Sequence, residues 1–273
     1  MCDNTLTYES LNKLPVWQHM ATISLEDMRA VRLMNRIDTK YVLSNSEVLQ
    51  LLNMAAEQGY RVQCVGQARA CRYDTLYYDT AERSMYLMHH NRVLRRQKIR
   101  TRIYVESDTA FLEVKNKSNR GRTNKQRVEI ARCSFDGFGG DTSAMEFLAS
   151  MSWYDVESLT PALATHFTRI TLVNPRFTER LTIDLDLNYC NCRDGVEASI
   201  VGMAIVELKQ DGRIASPMKE MLRVLRVPAM KVSKYCLGTA LTVENIRKNR
   251  FKLKLRSIEK RLSGLNVRYK QMF

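Results

Sequence analysis

Charged side chains spaced two apart in strand-like segments point the same way, and this chain repeats that arrangement in segment after segment. Arg36, Asp38 and Lys40 form one set, Lys98, Arg100, Arg102 and Tyr104 a second, and Glu113, Lys115 and Lys117 a third. Lys125, Arg127 and Glu129 follow, then Arg180, Thr182, Asp184 and Asp186, then Glu207 with Lys209. The other faces are apolar: Ile99, Ile103 and Val105; Phe111, Leu112 and Val114; Leu181, Ile183, Leu185 and Leu187; Ile205, Val206 and Leu208, with Ile37, Tyr41 and Leu43 mixed. One such strand reads as a half-exposed sheet with its charges in water. Repeated selection of Lys and Arg instead suits a sheet closed into a barrel, which gathers the cations about a lumen.

Such a lumen is unstable when empty. Two like charges about 5 Å apart at an effective dielectric near 20 repel by roughly 3 kcal/mol, so several converging cations call for a polyanion. A linear phosphate chain meets that need, its oxygens matched by Arg forks and Lys point charges from successive strands. Among these cations Glu207 is either a ligand for a hard divalent ion that also contacts phosphate oxygens, as in phosphoryl transfer, or a salt-bridge partner. The spacing leaves both open.

Composition agrees with an anionic partner. The 273 residues carry 43 Lys and Arg against 29 Asp and Glu, a net charge of +14, and 45% are hydrophobic, ample for a core. There is no G-x-x-x-x-G-K-[ST] loop, G-x-G-x-x-G, H-E-x-x-H or G-x-S-x-G. His19, His89, His90 and His166 lack ligand spacing, and the His89-His90 pair reads as an exposed loop. No ribonucleoprotein-type sequence accompanies the basic strands, so no specific nucleic acid is expected. Seven scattered cysteines argue against a disulfide framework or zinc site and for a reducing compartment. The Cys190-x-Cys192 pair reads as packing. No apolar run approaches the ~18 residues of a membrane span, and the first residues lack the order of a signal peptide, so a soluble cytoplasmic protein is expected.

Periodicity and punctuation give the elements that hold these side chains. A helix is expected from Ser24 through Met28, Val31 and Leu33, a strand over 36–43, and a helix over 46–58, capped by Ser46 and stopped by Gly59, with Val48, Leu51, Leu52 and Ala55 on one face. Strands dominate from Cys71, the glycine-rich 135–143 interrupts them, and helical stretches are expected at 144–151 and 155–165. Strands resume over 165–173, 180–189 and 198–210. Ser216 and Pro217 start a helix that Pro228 stops, and another begins within 232–248. Phe251, Leu255, Ile258, Leu262 and Leu265 mark a basic amphipathic tail helix suited to packing on the body, a partner protein or a membrane surface.

The segments RIDTKYVL (36–43), YYDT (77–80), KIRTRIY (98–104), FLEVKNK (111–117), KQR (125–127), RLTIDLDL (180–187), AIVELK (204–209) and KVSKYCLG (231–238) together resemble the VTC-type polyphosphate polymerase domain of the triphosphate tunnel metalloenzyme superfamily. The resemblance implies an α+β fold, an antiparallel β-barrel forming a triphosphate tunnel flanked by helices. That domain would span 30–245, between an N-terminal extension (1–29) and the basic tail (246–273). It further implies ATP as phosphoryl donor, inorganic polyphosphate as product, and Mn or Mg as the divalent cofactor. Carried across motif by motif, Lys40, Arg100, Arg102, Lys115, Lys125, Arg169, Arg180, Lys231, Ser233 and Lys234 are the expected phosphate contacts. Of these, Arg100, Arg102, Lys115, Arg169 and Arg180 are expected to be catalytic together with Glu207, the metal-binding acid.

Phe167 stands where the family usually has Tyr, two residues before Arg169. Relatives that hydrolyse triphosphate open with E-x-E-x-K, whereas Arg36, Asp38 and Lys40 leave one carboxylate here, which points to the polymerase branch rather than to an inorganic or nucleotide triphosphatase. A non-catalytic polyanion-binding module is the third possibility. The sensor domain and membrane helices of eukaryotic relatives have no counterpart in this sequence, so a sensor or channel is expected on another chain. Because the match stops short of the tail, deleting 249–273 is expected to leave turnover largely intact.

Overall fold

The computed structural model describes residues 6–30, 36–120, 122–212 and 214–262. Val31, Leu33 and Leu265, assigned above to helices, lie outside the described residues. In chain order the elements are α1 (Tyr8–Asn12), β1 (Thr22–Ile23), α2 (Leu25–Ala30), β2 (Arg36–Ser44), α3 (Asn45–Glu57), β3 (Arg61–Gln63), β4 (Ala70–Asp79), α4 (Ser84–His90), β5 (Arg96–Tyr104) and β6 (Thr109–Lys117). They continue with β7 (Thr123–Ile130), α5 (Thr142–Met151), β8 (Thr160–Val173), β9 (Glu179–Asn191), β10 (Glu197–Ile200), β11 (Met203–Asp211), α6 (Pro217–Val224), α7 (Lys234–Thr242) and α8 (Lys252–Leu262).

The main sheet runs β2-β11-β9-β8-β4-β5-β6-β7, antiparallel throughout, with β10 on β9, β3 on β8 and a short parallel β1–β3 pair. It curls around a lumen that touches both end strands. The expected antiparallel tunnel sheet flanked by helices is thus present, as a curled half-barrel: among the described residues no ladder joins β2 to β7. Both edges carry lumen-facing cations, Arg36 and Lys40 on one and Lys125 and Arg127 on the other. Charged edges of this kind resist pairing with other chains.

Local chemistry accounts for the helices. Ser44, not Ser46, caps α3: its hydroxyl accepts from Glu47 N while the Glu47 carboxylate accepts from Ser44 N at 2.7 Å. The chain leaves α3 through Gly59 at φ +70°, a left-handed conformation that costs glycine little. Behind the sheet, Leu181, Ile183, Leu185, Val206 and Leu208 pack on α3 and α6 through Leu51, Leu52, Met218 and Leu222, joined by Leu11, Val16, Trp17 and Met20 from the N-terminal segment. Ile99, Ile103, Leu112 and Val114 pack on Ala144 and Leu148 of α5. A third cluster lies at the lumen end, where Tyr77, Phe167, Leu187, Tyr189 and Ile205 meet Tyr235 and Leu237 of α7 and Leu255, Ile258 and Leu262 of α8.

Four local expectations need correction. The stretch 155–165 is not helical: only a 3-10 turn at Val156–Ser158 precedes β8, whose early residues pair with both β4 and β9. Ladder hydrogen bonds on both sides override the local pattern, and Pro161 sits near the strand start, where a missing N–H is tolerated. In β9 an extra residue, Asp186 at φ +49°, makes a bulge opposite His166–Thr168. The face alternation therefore flips. Asp186 points out to solvent, and Leu187 joins the lumen-end cluster instead of continuing the row of Leu185. Phe111 shares the face of Glu113, its ring edge-on to Tyr104 and under the Arg127 guanidinium. Finally, His89 and His90 close α4, with the His90 ring buried between Tyr86 and Phe251.

Candidate functional site, a cationic tunnel

The lumen is a cavity of about 520 Å³. Lys40 comes from β2, Lys98, Arg100 and Arg102 from β5, Lys115 from β6, Lys125 from β7, Arg169 from β8, Arg180 from β9, Glu207 from β11, and Ser233 and Lys234 from the start of α7. Every expected site residue but one is thus brought together. Lys231 is exposed and does not line the lumen. Lys98, Arg127 and Lys209 do line it; their place in the alternating pattern made them legible, although they fall outside the motif-derived set.

Three acids hold the cations in place. Glu113, 1% exposed, accepts from Arg100 Nε at 2.7 Å and from Lys125 Nζ at 2.8 Å. Asp184, 3% exposed, takes a bidentate pair from Arg169, with Nε···Oδ1 at 2.5 Å and Nη2···Oδ2 at 2.9 Å, and binds the Lys234 ammonium as well. Burial would raise both carboxyls, but their cations outweigh it and hold them below the usual carboxylate range. Glu207 is held more loosely, 3.3 Å from Lys40 Nζ and 3.7 Å from Lys209 Nζ. Glu207 is therefore not the sole inward acid, but among the described residues it is the one acid that lines the lumen.

Aromatic rings space the guanidinium and ammonium groups. Phe167 stacks on Tyr73 at 5.3 Å and lies under Lys234 at 4.3 Å, Arg169 at 5.4 Å and Arg102 at 5.6 Å. The phenylalanine at this position keeps that face without adding a hydroxyl. Arg102 Nε donates to Thr75 Oγ1 at 2.9 Å, and Arg100 Nη1 donates to Tyr77 Oη at 3.3 Å. Burial pushes the Tyr77 phenol up, yet Arg100, Arg102, Lys234 and Lys98 bring it down to about 8. At α7, Ser233 caps the helix and accepts from Lys98 Nζ at 2.7 Å, which turns the helix N-terminus toward the lumen. Gly238 lets α7 lie close to β8 and β9, since a Cβ there would meet Leu163 at 2.7 Å and run into the Tyr189 ring.

Among the described residues, no three His, Cys, Asp or Glu side chains converge as a metal-ligand set. Glu207 does have a suitable neighbour. Thr182, its partner across the β9–β11 ladder, leaves its hydroxyl buried with no hydrogen bond. One carboxylate and one hydroxyl are oxygen donors of the kind that a hard divalent ion takes, and these two residues would hold it.

A curled antiparallel sheet whose lumen presents twelve Lys and Arg side chains and one carboxylate, counted among the described residues, defines a strongly cationic tunnel. The family model described as the VTC domain matches residues 35–243, and the chain belongs to that family. Solved structures with a similar fold include a Hippeastrum protein described as a candidate adenylyl cyclase that reveals a dominant triphosphatase activity, 15% identical over 78% of this chain and 99% of that one, TM-score 0.49. Candidate adenylate cyclases from Bacillus halodurans (11% identity, 73% and 94% coverage, TM-score 0.48) and Vibrio parahaemolyticus (14%, 76% and 99%, TM-score 0.44) are also similar. No curated protein matches the sequence.

Proposed function

We propose that this chain builds inorganic polyphosphate by transferring the γ-phosphoryl group of ATP to the end of a phosphate chain held in the same lumen. The carrying observation is the lumen itself, a continuous cationic lining whose acids are occupied in holding cations. An ionised terminal phosphate oxygen of the chain attacks the γ-phosphorus, the bond from that phosphorus to the β-γ bridging oxygen breaks, and ADP leaves with the electron pair. Since the acceptor oxygen is already ionised, no general base is needed. That suits a site whose lining carboxylate, Glu207, and the two acids buried beside the lining cations are held below their usual range and are poor proton acceptors.

Arg100, Arg102, Lys115, Arg169 and Arg180 would stabilise charge on the transferring group, and Lys40, Lys125, Ser233 and Lys234 would orient donor and acceptor. A divalent ion, Mn or Mg, held by Glu207 with Thr182 would supply Lewis-acid neutralisation of the triphosphate oxygens. The test is to incubate the purified chain with ATP and Mn and resolve the products on a gel. A ladder of phosphate chains with matching ADP is the expected result. Orthophosphate with ADP and no ladder would instead make the protein a triphosphatase, and no turnover would make it a binding module.

A further inference from the structure

The K-x-S-K segment before α7 sends its two lysines to different places. Lys234 enters the lumen, whereas Lys231 lines a small cleft with His89 of α4 and Lys254 of α8. Ser233 lines both spaces, so the cleft adjoins the lumen at that residue. On the sheet side, β5 continues past Lys98 to Arg96, which faces Lys117 across the β5–β6 ladder.

These groups form a second cationic cluster. Burial lowers the Lys117 ammonium and nearby Arg96 and Lys231 lower it further; burial lowers that of Lys254, with Arg92 and Lys231 adding to the effect. Among the described residues none of Arg92, Arg96, Lys117, Lys231 and Lys254 makes an ion pair with a carboxylate. That contrasts with Arg100, Lys125, Arg169 and Lys234 inside the lumen, each of which has an acid partner. In the same cleft His89 Nδ1 is buried without a hydrogen-bond partner. Cations that repel one another, lack acids and adjoin a phosphate-sized lumen call for the same kind of ligand as the lumen.

We propose that this outer cluster binds the part of a linear phosphate chain that extends beyond the lumen past Ser233, so that α8, outside the family match, completes a path for polyphosphate. The proposal rests on polyphosphate being the ligand of the tunnel, but its test needs no turnover. The full chain carrying Lys117→Gln and Lys254→Gln, side chains that keep most of their stems, is compared with the parent in EDTA. Probes are tripolyphosphate and a linear polyphosphate tens of phosphates long.

The expected result is unchanged tripolyphosphate affinity, a loss of about ten-fold for the long chain, and a shallower salt dependence, by between one and two counterions, for the long chain only. Lys254→Arg, which keeps the charge, should bind the long chain like the parent. Equal losses for both probes, or none for the long chain, would overturn the proposal. So would equally strong, cluster-dependent binding of an RNA oligonucleotide of matched charge, since the cluster would then be a general polyanion surface. Long-chain binding that depends on the cluster in a protein that makes no polyphosphate from ATP would overturn the polymerase reading and leave this one standing.

Discussion

Glu207 is set apart from the other lumen acids by how it is held. Asp184 is bound by two cations at hydrogen-bond distance, as is Glu113, whereas the two ion pairs of Glu207 stretch to 3.3 and 3.7 Å. Glu113 and Asp184 thus fix the forks of Arg100 and Arg169, and Glu207 keeps oxygen lone pairs for something else. Glu207→Gln retains size and removes charge, so it should cut metal-dependent ATP turnover by about a hundred-fold or more, the scale seen when one charge-stabilising group is lost. Polyphosphate affinity in EDTA should persist or tighten, because the lumen becomes more positive. Near-normal Mn-dependent turnover in the folded variant would reduce Glu207 to a salt-bridge partner.

At the scale of elements, α7 carries Ser233 and Lys234 to the lumen, and its position depends on one missing side chain. Gly238→Ala places a methyl against Leu163 and the Tyr189 ring, so it should cost about 1–3 kcal/mol as overpacking, more than alanine gains in helix propensity. Tripolyphosphate affinity should fall with it as Lys234 moves. A melting curve and a binding isotherm check both, and an unchanged melt would contradict the close packing of α7. The neighbouring α8 packs on the body, as its apolar stripe led one to expect, but it is more deeply embedded than a dispensable tail would be. Its Leu255, Ile258 and Leu262 are buried in the lumen-end cluster, and Arg261 pairs with Glu47, the residue that completes the α3 capping box. Deleting 249–273 should therefore destabilise the protein markedly, since each buried Leu or Ile contributes about 1.5–3 kcal/mol. Thermal denaturation of the truncated chain measures this, and an unchanged melting temperature would restore the view that the tail is dispensable.

For the molecule as a whole, stability, charge and ligand are linked. Saturating tripolyphosphate at about 100 times its Kd should add about 2.7 kcal/mol, a rise in Tm of roughly 5 °C or more. The rise should shrink with pH. Burial, with Arg180 and Arg169 nearby, lowers Lys209 from 10.5 to about 8, and Lys115, enclosed by the lumen though reached by water, also falls to about 8. Above pH 8 these ammonium groups lose charge and hold phosphate less well. For the ligand-free protein the sign is opposite: from about pH 8 the unfolded chain holds more protons on these lysines and on Tyr77 than the folded one, so they favour folding as pH rises. Buried phenols with raised pKa work against this chiefly as pH passes their ordinary value of 10. Melting curves with and without tripolyphosphate between pH 7.5 and 9 test the pair of effects; a ligand-induced rise that grows with pH would contradict the role given to the lysines.

The alternating charges of β5, β6, β7 and β11 were legible in the sequence because strand geometry has a period of two and each segment keeps it without interruption. From them came the inward cations, the apolar backs and, with the motif order, the family and most of the site. The sequence could not show where that period breaks. The bulge at Asp186 flips Leu187 and Tyr189 inward and leaves Asp184 as the last acid of its row, a consequence of pairing with β8 rather than of any local preference. Nor could it assign roles to acids that look alike, because Glu113, Asp184 and Glu207 differ only in which cations the folded sheet sets beside them. Lys231 and Lys234, three residues apart, part company for a similar reason: only the start of α7, held at Ser233 by Lys98, decides which of them faces the lumen. Periodicity is a property of the chain, whereas closure, bulges and charge partners arise from contacts between residues far apart in it.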